Sequence, residues 1–269
     1  MLSSISQDNC ARAQRDVVQG FNNWRIWWLL GIGDIRQRYS RSRFGQFWIT
    51  LSMLVLVVAI GTVYAAIFRQ PIKDYLPYLA SNFVVWSLIA GIITESTSVF
   101  TQAEGILKQE PLPRTVFVWR LLVRNFVVFS HNLVIIPAVL LVFGHGLSWT
   151  WLLVPFGLLL VAASGFFMAL LCGLLCTRFR DLPQIVQNVV QIAFFISPVT
   201  WPISTLGERA FYVVDLNPFA SFLRIVSEPM RGQVPTLFTY ASTLGVIVIL
   251  ALVALPLFAR FRARVVYWL

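Results

Sequence analysis

The feature that most constrains this chain is a run of 53 residues, 125–177, that contains no Asp, Glu, Lys or Arg. A helix rises about 1.5 Å per residue and a bilayer core is about 30 Å thick, so about 20 apolar residues can cross it. The run is too long for one crossing, and Gly144, His145 and Gly146 near its middle indicate a turn. The run therefore predicts two membrane helices, over residues 125–143 and 149–177.

Four other stretches complete the predicted bundle. Residues 47–68 and 75–94 carry no charged side chain, residues 182–207 form a fifth span, and residues 232–259 contain a sixth. Of the 269 residues 58% are hydrophobic and only 12% are charged, whereas a soluble domain carries about 25% charged residues. This composition excludes an ordinary soluble enzyme and predicts an all-α integral membrane protein with six transmembrane helices.

The basic residues predict the topology. The chain has a net charge of +10, and its Lys and Arg residues flank apolar runs, which indicates topogenic charge rather than a nucleic-acid partner. If the N-terminus is cytoplasmic, 16 of these residues lie inside and five outside. We therefore expect both termini in the cytoplasm, with a cytoplasmic arm over 1–46, a membrane domain over 47–259 and a cytoplasmic tail over 260–269.

The arm contains a pattern typical of an interface helix. In residues 22–43 the aromatic side chains and two isoleucines fall on one helical arc, Arg36 lies outside that arc, and Arg38 lies at its edge. The arc consists of Trp24, Trp27, Trp28, Ile32, Ile35 and Tyr39. The alternative is a simple basic flank, which would need the arginines but not three tryptophans on one face.

Residues 101–124 mix charged and apolar side chains and are interrupted by Pro111 and Pro113. This pattern favours a short helix that docks on a cytoplasmic partner. The alternative is a hairpin connection with a helical start.

The fifth span is expected to be broken, because Pro198 and Pro202 remove two backbone donors. Freed carbonyls at membrane depth are tolerated where they face protein or a water-filled cavity, so the break suggests a transport pathway or a plain kink. The candidate lining residues are Phe194, Phe195, Ser197, Pro198 and Trp201. The three aromatic residues could equally face lipid or the protein core.

Residues 208–231 are too interrupted to cross and predict two short re-entrant or interfacial helices on the outer side.

Several motifs are missing from the sequence. It contains no G-x-x-x-x-G-K-[ST] phosphate loop and no G-x-S-x-G or H-E-x-x-H motif. We therefore expect no cofactor in this chain and energy from another subunit if it transports uphill. A membrane-embedded transferase acting on lipid-linked sugars would need a positioned acid/base pair, and His145 with a loop carboxylate is a very poor candidate for one. A non-catalytic scaffold would explain the spans but not the broken helix.

Four motifs resemble the permeases of ABC transporters that export polysaccharides and polyol phosphates, such as O-antigen, capsule and teichoic acid. They are GDIRQRYSRSRFGQFW at 33–48, CTRFRDL at 176–182, ISPVTWP at 196–202 and LNP at 216–218. They occur in family order over about 30–220, nearly the whole chain.

The resemblance implies a homodimer of six-span subunits in the bacterial inner membrane that encloses a channel for a lipid-linked polysaccharide. Two copies of a separate ATPase would bind ATP and Mg beneath it. Residues 22–43 would form the interface helix, 101–118 the main coupling element and 178–183 a second ATPase contact. The implied contact residues are Glu104, Lys108, Glu110, Arg114, Arg178, Arg180 and Asp181. An ABC permease for small lipophilic compounds or drugs would share these coupling segments.

Overall fold

The computed structural model of the protein describes residues 7–40, 45–144, 146 and 148–269. This part of the chain contains no β-strand, which confirms the all-α class. Its α-helices are α1 (Gln7–Asn22), α2 (Trp24–Tyr39), α3 (Phe47–Ile67), α4 (Ile72–Ser96), α5 (Glu104–Gln109), α6 (Thr115–Leu133), α7 (Ile135–Val142), α8 (Val154–Arg178), α9 (Leu182–Ile196), α10 (Pro218–Met230), α11 (Leu237–Phe261) and α12 (Val265–Trp268).

Within the described ranges, five helical stretches are long and apolar enough to cross a membrane, so the chain is a multi-pass membrane protein. They are Phe47–Ile67, Ile72–Ser96, Thr115–Val142, Trp149–Arg178 and Leu237–Trp268. The fifth predicted span contains only the shorter apolar helix Leu182–Ile196. The turn expected near Gly144 follows α7, and Gly144 has the positive φ of 75° that favours glycine; His145 lies outside the described residues.

The third predicted membrane span begins with α6, which starts at Thr115, ten residues earlier than residue 125, where the sequence predicts it. The charges of Arg120 and Arg124 predict a cytoplasmic segment that extends to residue 124. In the structure both are helical and paired with carboxylates of neighbouring helices, so their charges do not end the helix. Pro137 accounts for the interruption between α6 and α7, because its ring conflicts with the carbonyl of the residue four positions earlier.

Helix α9 ends at Ile196, before Ser197 and Pro198, and not at residue 207. Pro183 at its start lines a pocket with Thr97 and Thr101, beyond the end of α4. Phe194 near its end packs on Phe83, at the middle of α4. Helix α9 therefore runs antiparallel along α4.

The described elements meet at two ends of the bundle. The arm end contains α1, α5, α12 and the last turns of α8 and α11, since Arg262 bonds Asp16 and Trp268 shares a pocket with Thr101. The far end contains the chain around 148–151 and 198–231, where the Thr150 hydroxyl donates to the Pro229 carbonyl at 2.6 Å. The arm and residues 262–269 thus lie at the same end.

The arm forms two helices, α1 and α2, separated at Asn23. Helix α2 lies within the predicted range 22–43, of which residues 41–43 are outside the described part of the chain. Helix α2 continues through Gly31 and Gly33. A Cβ at Gly31 would lie 3.0 Å from Val123 Cγ1 and 3.1 Å from the Arg120 carbonyl oxygen. Glycine at this position therefore allows α2 to approach α6 closely.

Candidate functional site

The arm end brings together two segments that the sequence analysis predicted separately. Glu104, in the first turn of α5, and Arg180, in the loop after α8, line one pocket of about 290 Å³. Its wall includes Trp268 of α12. We call it the Arg180 pocket; its lining is Thr97, Ser98, Thr101, Glu104, Cys176, Thr177, Arg180, Pro183, Trp268 and Leu269.

Helix α5 presents its charged side chains outward. Lys108 Nζ lies 2.6 Å from Glu104 Oε1, and both side chains are about half exposed. Leu107 between them is buried and holds the helix against the bundle. Glu110 is exposed directly after α5. The short helix before the prolines fits both the docking helix and the hairpin connection with a helical start.

The other predicted contact residues have different surroundings. Arg114 precedes α6, and its Nη1 donates to the Leu112 carbonyl at 3.3 Å. Asp181 is exposed just before α9. Arg178 lies over the rings of Phe179 and Trp268, in a second pocket beside the Arg180 pocket.

The aromatic face of α2 divides between protein and surface. Trp27 stacks on Trp119 with 5.8 Å between ring centroids, whereas Trp24 is 55% and Trp28 47% exposed. Arg36 is exposed, and Arg38 Nη2 lies 4.0 Å from the carboxylate of Glu95. The side chain of Tyr39 lies outside the described residues. Exposed indole rings on a helix with arginines suit the headgroup region of a bilayer.

An ionic cluster between α2, α4 and α6 was missed by the sequence analysis. Arg120 binds the Asp34 carboxylate through Nε at 2.8 Å and Nη2 at 2.6 Å. Arg124 bridges Asp34 at 3.2 Å and Glu95 at 2.8 Å, and Asn125 Nδ2 donates to the same Glu95 oxygen at 2.6 Å. We call these five residues the arm-end network. The sequence offers only a weak signal for it. Two arginines, Arg120 and Arg124, are spaced one helical turn apart, and two acidic residues, Asp34 and Glu95, lie near the ends of other helices.

Asp16 of α1 is a second junction that the sequence analysis missed. Its side chain is buried, and Oδ1 accepts from the backbone N–H of Thr115 at 3.1 Å and from the Thr115 hydroxyl at 3.0 Å. Its other oxygen accepts from Arg262 Nη1 at 2.8 Å. One carboxylate thereby joins α1 to the start of α6 and to the chain after α11.

At the far end, α4 satisfies the carbonyls freed by the broken fifth span. Tyr75 donates its hydroxyl to the Thr200 carbonyl, and Tyr78 donates to the carbonyls of Pro198 and Trp201 at 2.8 and 2.7 Å. Asn82 Nδ2 also donates to the Pro198 carbonyl, at 3.0 Å. The freed carbonyls thus face protein, the first of the two environments that the sequence allowed.

The predicted lining residues have different degrees of exposure. Phe194 packs edge-on against Phe83 and Trp86. Ser197 is buried and accepts from Asn217 at 3.0 Å, and Pro198 is also buried. Phe195 is 63% exposed, and its carbonyl accepts from Trp201 Nε1 at 3.0 Å.

The exposed surface of α9 carries a polar stripe beside an apolar one, which contains Ile185, Val189, Ile192 and Ile196. Gln184, Asn188 and Gln191 follow one another at helical spacing, and Phe195 continues the same stripe. Gln184 Nε2 donates to Asn188 Oδ1 at 3.2 Å. Amide groups turned toward hydrocarbon lose their hydrogen bonds to water, and the bond between Gln184 and Asn188 replaces only some of them, so this stripe favours a polar surrounding. We call these four residues the amide stripe.

The predicted outer segment forms two short elements, a π-helical turn over Phe211–Asp215 and helix α10. Arg224 pairs with Asp215 and Glu228, each at 2.5 Å. Arg231 lies 4.7 Å over the Tyr78 ring. Burial lowers the pKa of Arg231, and the neighbouring Tyr78 and Glu228 act in the opposite direction.

The amino-acid sequence is similar to one described protein family and to several known proteins. Residues 26–230, from α2 through α10, match the family model described as ABC-2 type transporter. Two proteins named O-antigen export system permease protein RfbA, both from Klebsiella pneumoniae, are 25% and 24% identical to it; each alignment covers 86% of this chain and 90% of the relative. A protein of the same name from Myxococcus xanthus is 24% identical over 71% of this chain and 74% of its own length.

Proposed function

The chain belongs to the ABC-2 type transporter family, and from that premise we propose that it is the permease subunit of an ABC exporter of polysaccharide. The observation that carries the proposal is the similarity, across most of both chains, to three proteins named as O-antigen export permeases. The transported molecule would be a lipid-linked polysaccharide of the O-antigen or capsule type.

We propose that two copies of this chain enclose the conduit and that each crosses the bacterial inner membrane six times. The antiparallel course of α9 along α4 supports a sixth crossing. The common position of the arm and residues 262–269 supports an even number of crossings. The excess of basic residues at that end supports a cytoplasmic location for both termini.

The amide stripe supports a polysaccharide rather than a small lipophile as the transported molecule. Gln184, Asn188 and Gln191 can both donate and accept hydrogen bonds, as sugar hydroxyl groups do. The exposed Phe195 ring continues the stripe, and the apolar faces of sugar rings can stack on it. Weak contacts at several places allow both entry and release.

We propose that a separate ATPase subunit, which binds ATP and Mg, docks at the arm end. Glu104, Lys108, Glu110, Arg180 and Asp181 support this assignment because they carry charge at one surface although they come from two segments. The buried Leu107 would transmit a push on α5 to the bundle. Helix α2, with exposed Trp24 and Trp28, would lie in the membrane interface.

The mass of the intact complex tests this proposal most directly. The chain is tagged in its native membrane, extracted gently and weighed with everything that remains bound. We expect two copies of this chain with two copies of an ATPase. A complex without any ATPase, obtained under conditions that preserve other ABC exporters, would contradict the proposal.

A charge reversal tests the docking surface. We expect Glu104→Arg to reduce export and to uncouple ATP hydrolysis from it, because a contact between charged surfaces becomes repulsive. Asp74→Arg, an exposed carboxylate at the far end, is the matched control and should retain export. Equal export by the two variants would remove α5 from the contact.

A further inference from the structure

A second pocket at the arm end combines an apolar floor with a basic rim. It encloses about 300 Å³ between the last turns of α8 and α11, and Leu174, Leu257 and Phe261 form its floor. Arg178, Arg264 and Trp268 form its rim. We call it the Arg264 pocket. Its volume is at the lower limit of ligand pockets.

The two arginines of the rim are held by aromatic rings rather than by acids. The Arg178 guanidinium lies 5.4 Å from the Phe179 ring centroid and 6.0 Å from that of Trp268, and Arg264 lies 5.8 Å from that of Phe261. Across the described ranges neither has a carboxylate within 4.0 Å. A stacked guanidinium keeps its N–H donors at the edge, where they can bind a phosphate.

Charge distinguishes this pocket from an apolar cavity inside the bundle. A cavity of about 200 Å³ between α4, α8, α10 and α11 is lined by residues such as Ile89, Phe219 and Leu250 and carries no ionisable side chain. Nothing there selects one apolar occupant over another. The Arg264 pocket, in contrast, offers hydrocarbon on one side and two cations on the other.

The pocket lies at the depth in the membrane where a lipid could fill both its apolar and its basic parts. Two of the candidate membrane spans end at Arg178 and Trp268, so the rim lies where hydrocarbon gives way to headgroups. Basic pockets between membrane helices at this level bind acidic headgroups. We propose that the Arg264 pocket binds an anionic phospholipid, with its phosphate on Arg178 and Arg264 and an acyl chain against Leu174 and Leu257.

The bound lipid would touch a wall shared with the Arg180 pocket. Trp268 lines both pockets, and it is the ring on which Arg178 stacks. The lipid would therefore lie next to Glu104 and Arg180 without being part of that surface. The proposal does not depend on which molecule the protein transports.

Quenching of Trp268 by brominated lipids tests the proposal. The full-length protein is reconstituted in nanodiscs with phosphatidylcholine, and brominated phosphatidylglycerol or brominated phosphatidylcholine is added in steps. Subtracting the signal of Trp268→Phe isolates the Trp268 contribution from those of the other tryptophans. We expect brominated phosphatidylglycerol to quench this contribution at a much lower mole fraction than brominated phosphatidylcholine.

Removing the two charges should remove the preference. An arginine near the membrane surface contributes about 1 kcal/mol to binding an acidic lipid, which is about fivefold in affinity. In the double variant R178Q/R264Q, the affinity for the acidic lipid relative to phosphatidylcholine should therefore fall about 25-fold. Arg15→Gln is the matched control, because it removes an exposed charge of α1 at the same end, and it should leave the preference unchanged.

Four results would overturn the proposal. The first is equal quenching of Trp268 by the two brominated lipids in the wild-type protein, and the second is an undiminished preference in R178Q/R264Q. The third is displacement of phosphatidylglycerol by a polyisoprenyl phosphate at a lower mole fraction, which would assign the pocket to the carrier of a lipid-linked substrate. Displacement by inorganic phosphate alone would likewise overturn it, because the acyl chain would then contribute nothing.

Discussion

The two ends of the bundle are held together by different kinds of polar contact. At the arm end the contacts between distant segments are ionic, since Arg120 and Arg124 bind Asp34, which lies 86 and 90 positions away. At the far end the described ion pairs are local, and Arg224 binds partners only nine and four positions away. The distant segments at that end are joined by neutral bonds, in which Tyr75 and Tyr78 donate to carbonyls about 120 positions away.

This difference indicates different mechanical properties. An ionic contact that is partly buried resists separation, because opening it leaves charges with little water around them. A neutral hydroxyl–carbonyl bond contributes about 1 kcal/mol, which is less than a hydrogen bond between charged groups contributes. We infer that the arm end moves as a unit, whereas the segment around 198–201 is the easier part of the bundle to displace.

The largest expected effect is at Arg124. Arg124→Met leaves Asp34 and Glu95 without their shared cation, and we expect a loss of about 3 kcal/mol in the free energy of unfolding. Thermal unfolding of the purified protein in detergent measures it.

The control for this variant is Arg25→Met. Arg25 is an exposed arginine of α2 that contacts the Trp24 ring, so its loss should change stability little. If the two variants are equally stable, the arm-end network does not hold the helices together and the comparison fails.

A smaller effect is expected at Tyr75. Tyr75→Phe removes the donor to the Thr200 carbonyl in a fully buried position, and we expect a loss of about 1.5 kcal/mol. Tyr64→Phe is the matched change, since the Tyr64 hydroxyl makes no hydrogen bond within the described residues. A loss at Tyr75 as large as that at Arg124 would show that the far end is no softer than the arm end.

Asp16 sharpens the comparison because it combines both kinds of contact. Asp16→Asn retains an oxygen that can accept from the Thr115 N–H but loses the charge that binds Arg262. We expect a loss of about 1 kcal/mol. Hydrogen exchange should show that the loss of protection lies at α1 and in the chain after α11. Protection lost only at the start of α6 would mean that the hydrogen bond from Thr115, and not the ion pair with Arg262, is what matters.

The smallest effect is expected for Lys108→Gln. The pair between Lys108 and Glu104 lies within one helix and is about half exposed, so its loss should change stability by about 0.5 kcal/mol or less. The same unfolding measurement applies. A change above about 1 kcal/mol would mean that exposed pairs at the arm end belong to the network.

The sequence predicted the helical class and most helices because hydropathy is a local property. It placed α3 and α4 within a few residues and anticipated the break at Ser197 and Pro198, because proline acts on its own backbone. It failed at the start of α6, since the position of an arginine in a membrane helix depends on the acid that pairs with it. That acid, Asp34 for Arg120, is fixed by tertiary packing and leaves no local pattern.

The same reasoning explains what was found and missed in the candidate site. Glu104 and Arg180 were assigned to similar roles by resemblance, and only the folded chain places them around one pocket. Asp16 and Arg264 were missed because each gains its surroundings from helices distant in sequence. Their common trait in the sequence is only that they are charged residues in the arm and the tail.

The shortness of α9 has a consequence for the surrounding bilayer. Fifteen helical residues span about 22 Å, roughly 8 Å less than a typical hydrocarbon core. A span shorter than its membrane is accommodated by local thinning of the lipid. If α9 is the sixth crossing that we propose and meets lipid over part of its surface, the hydrophobic barrier is lowest beside the amide stripe, where a polar chain would have the shortest distance to travel.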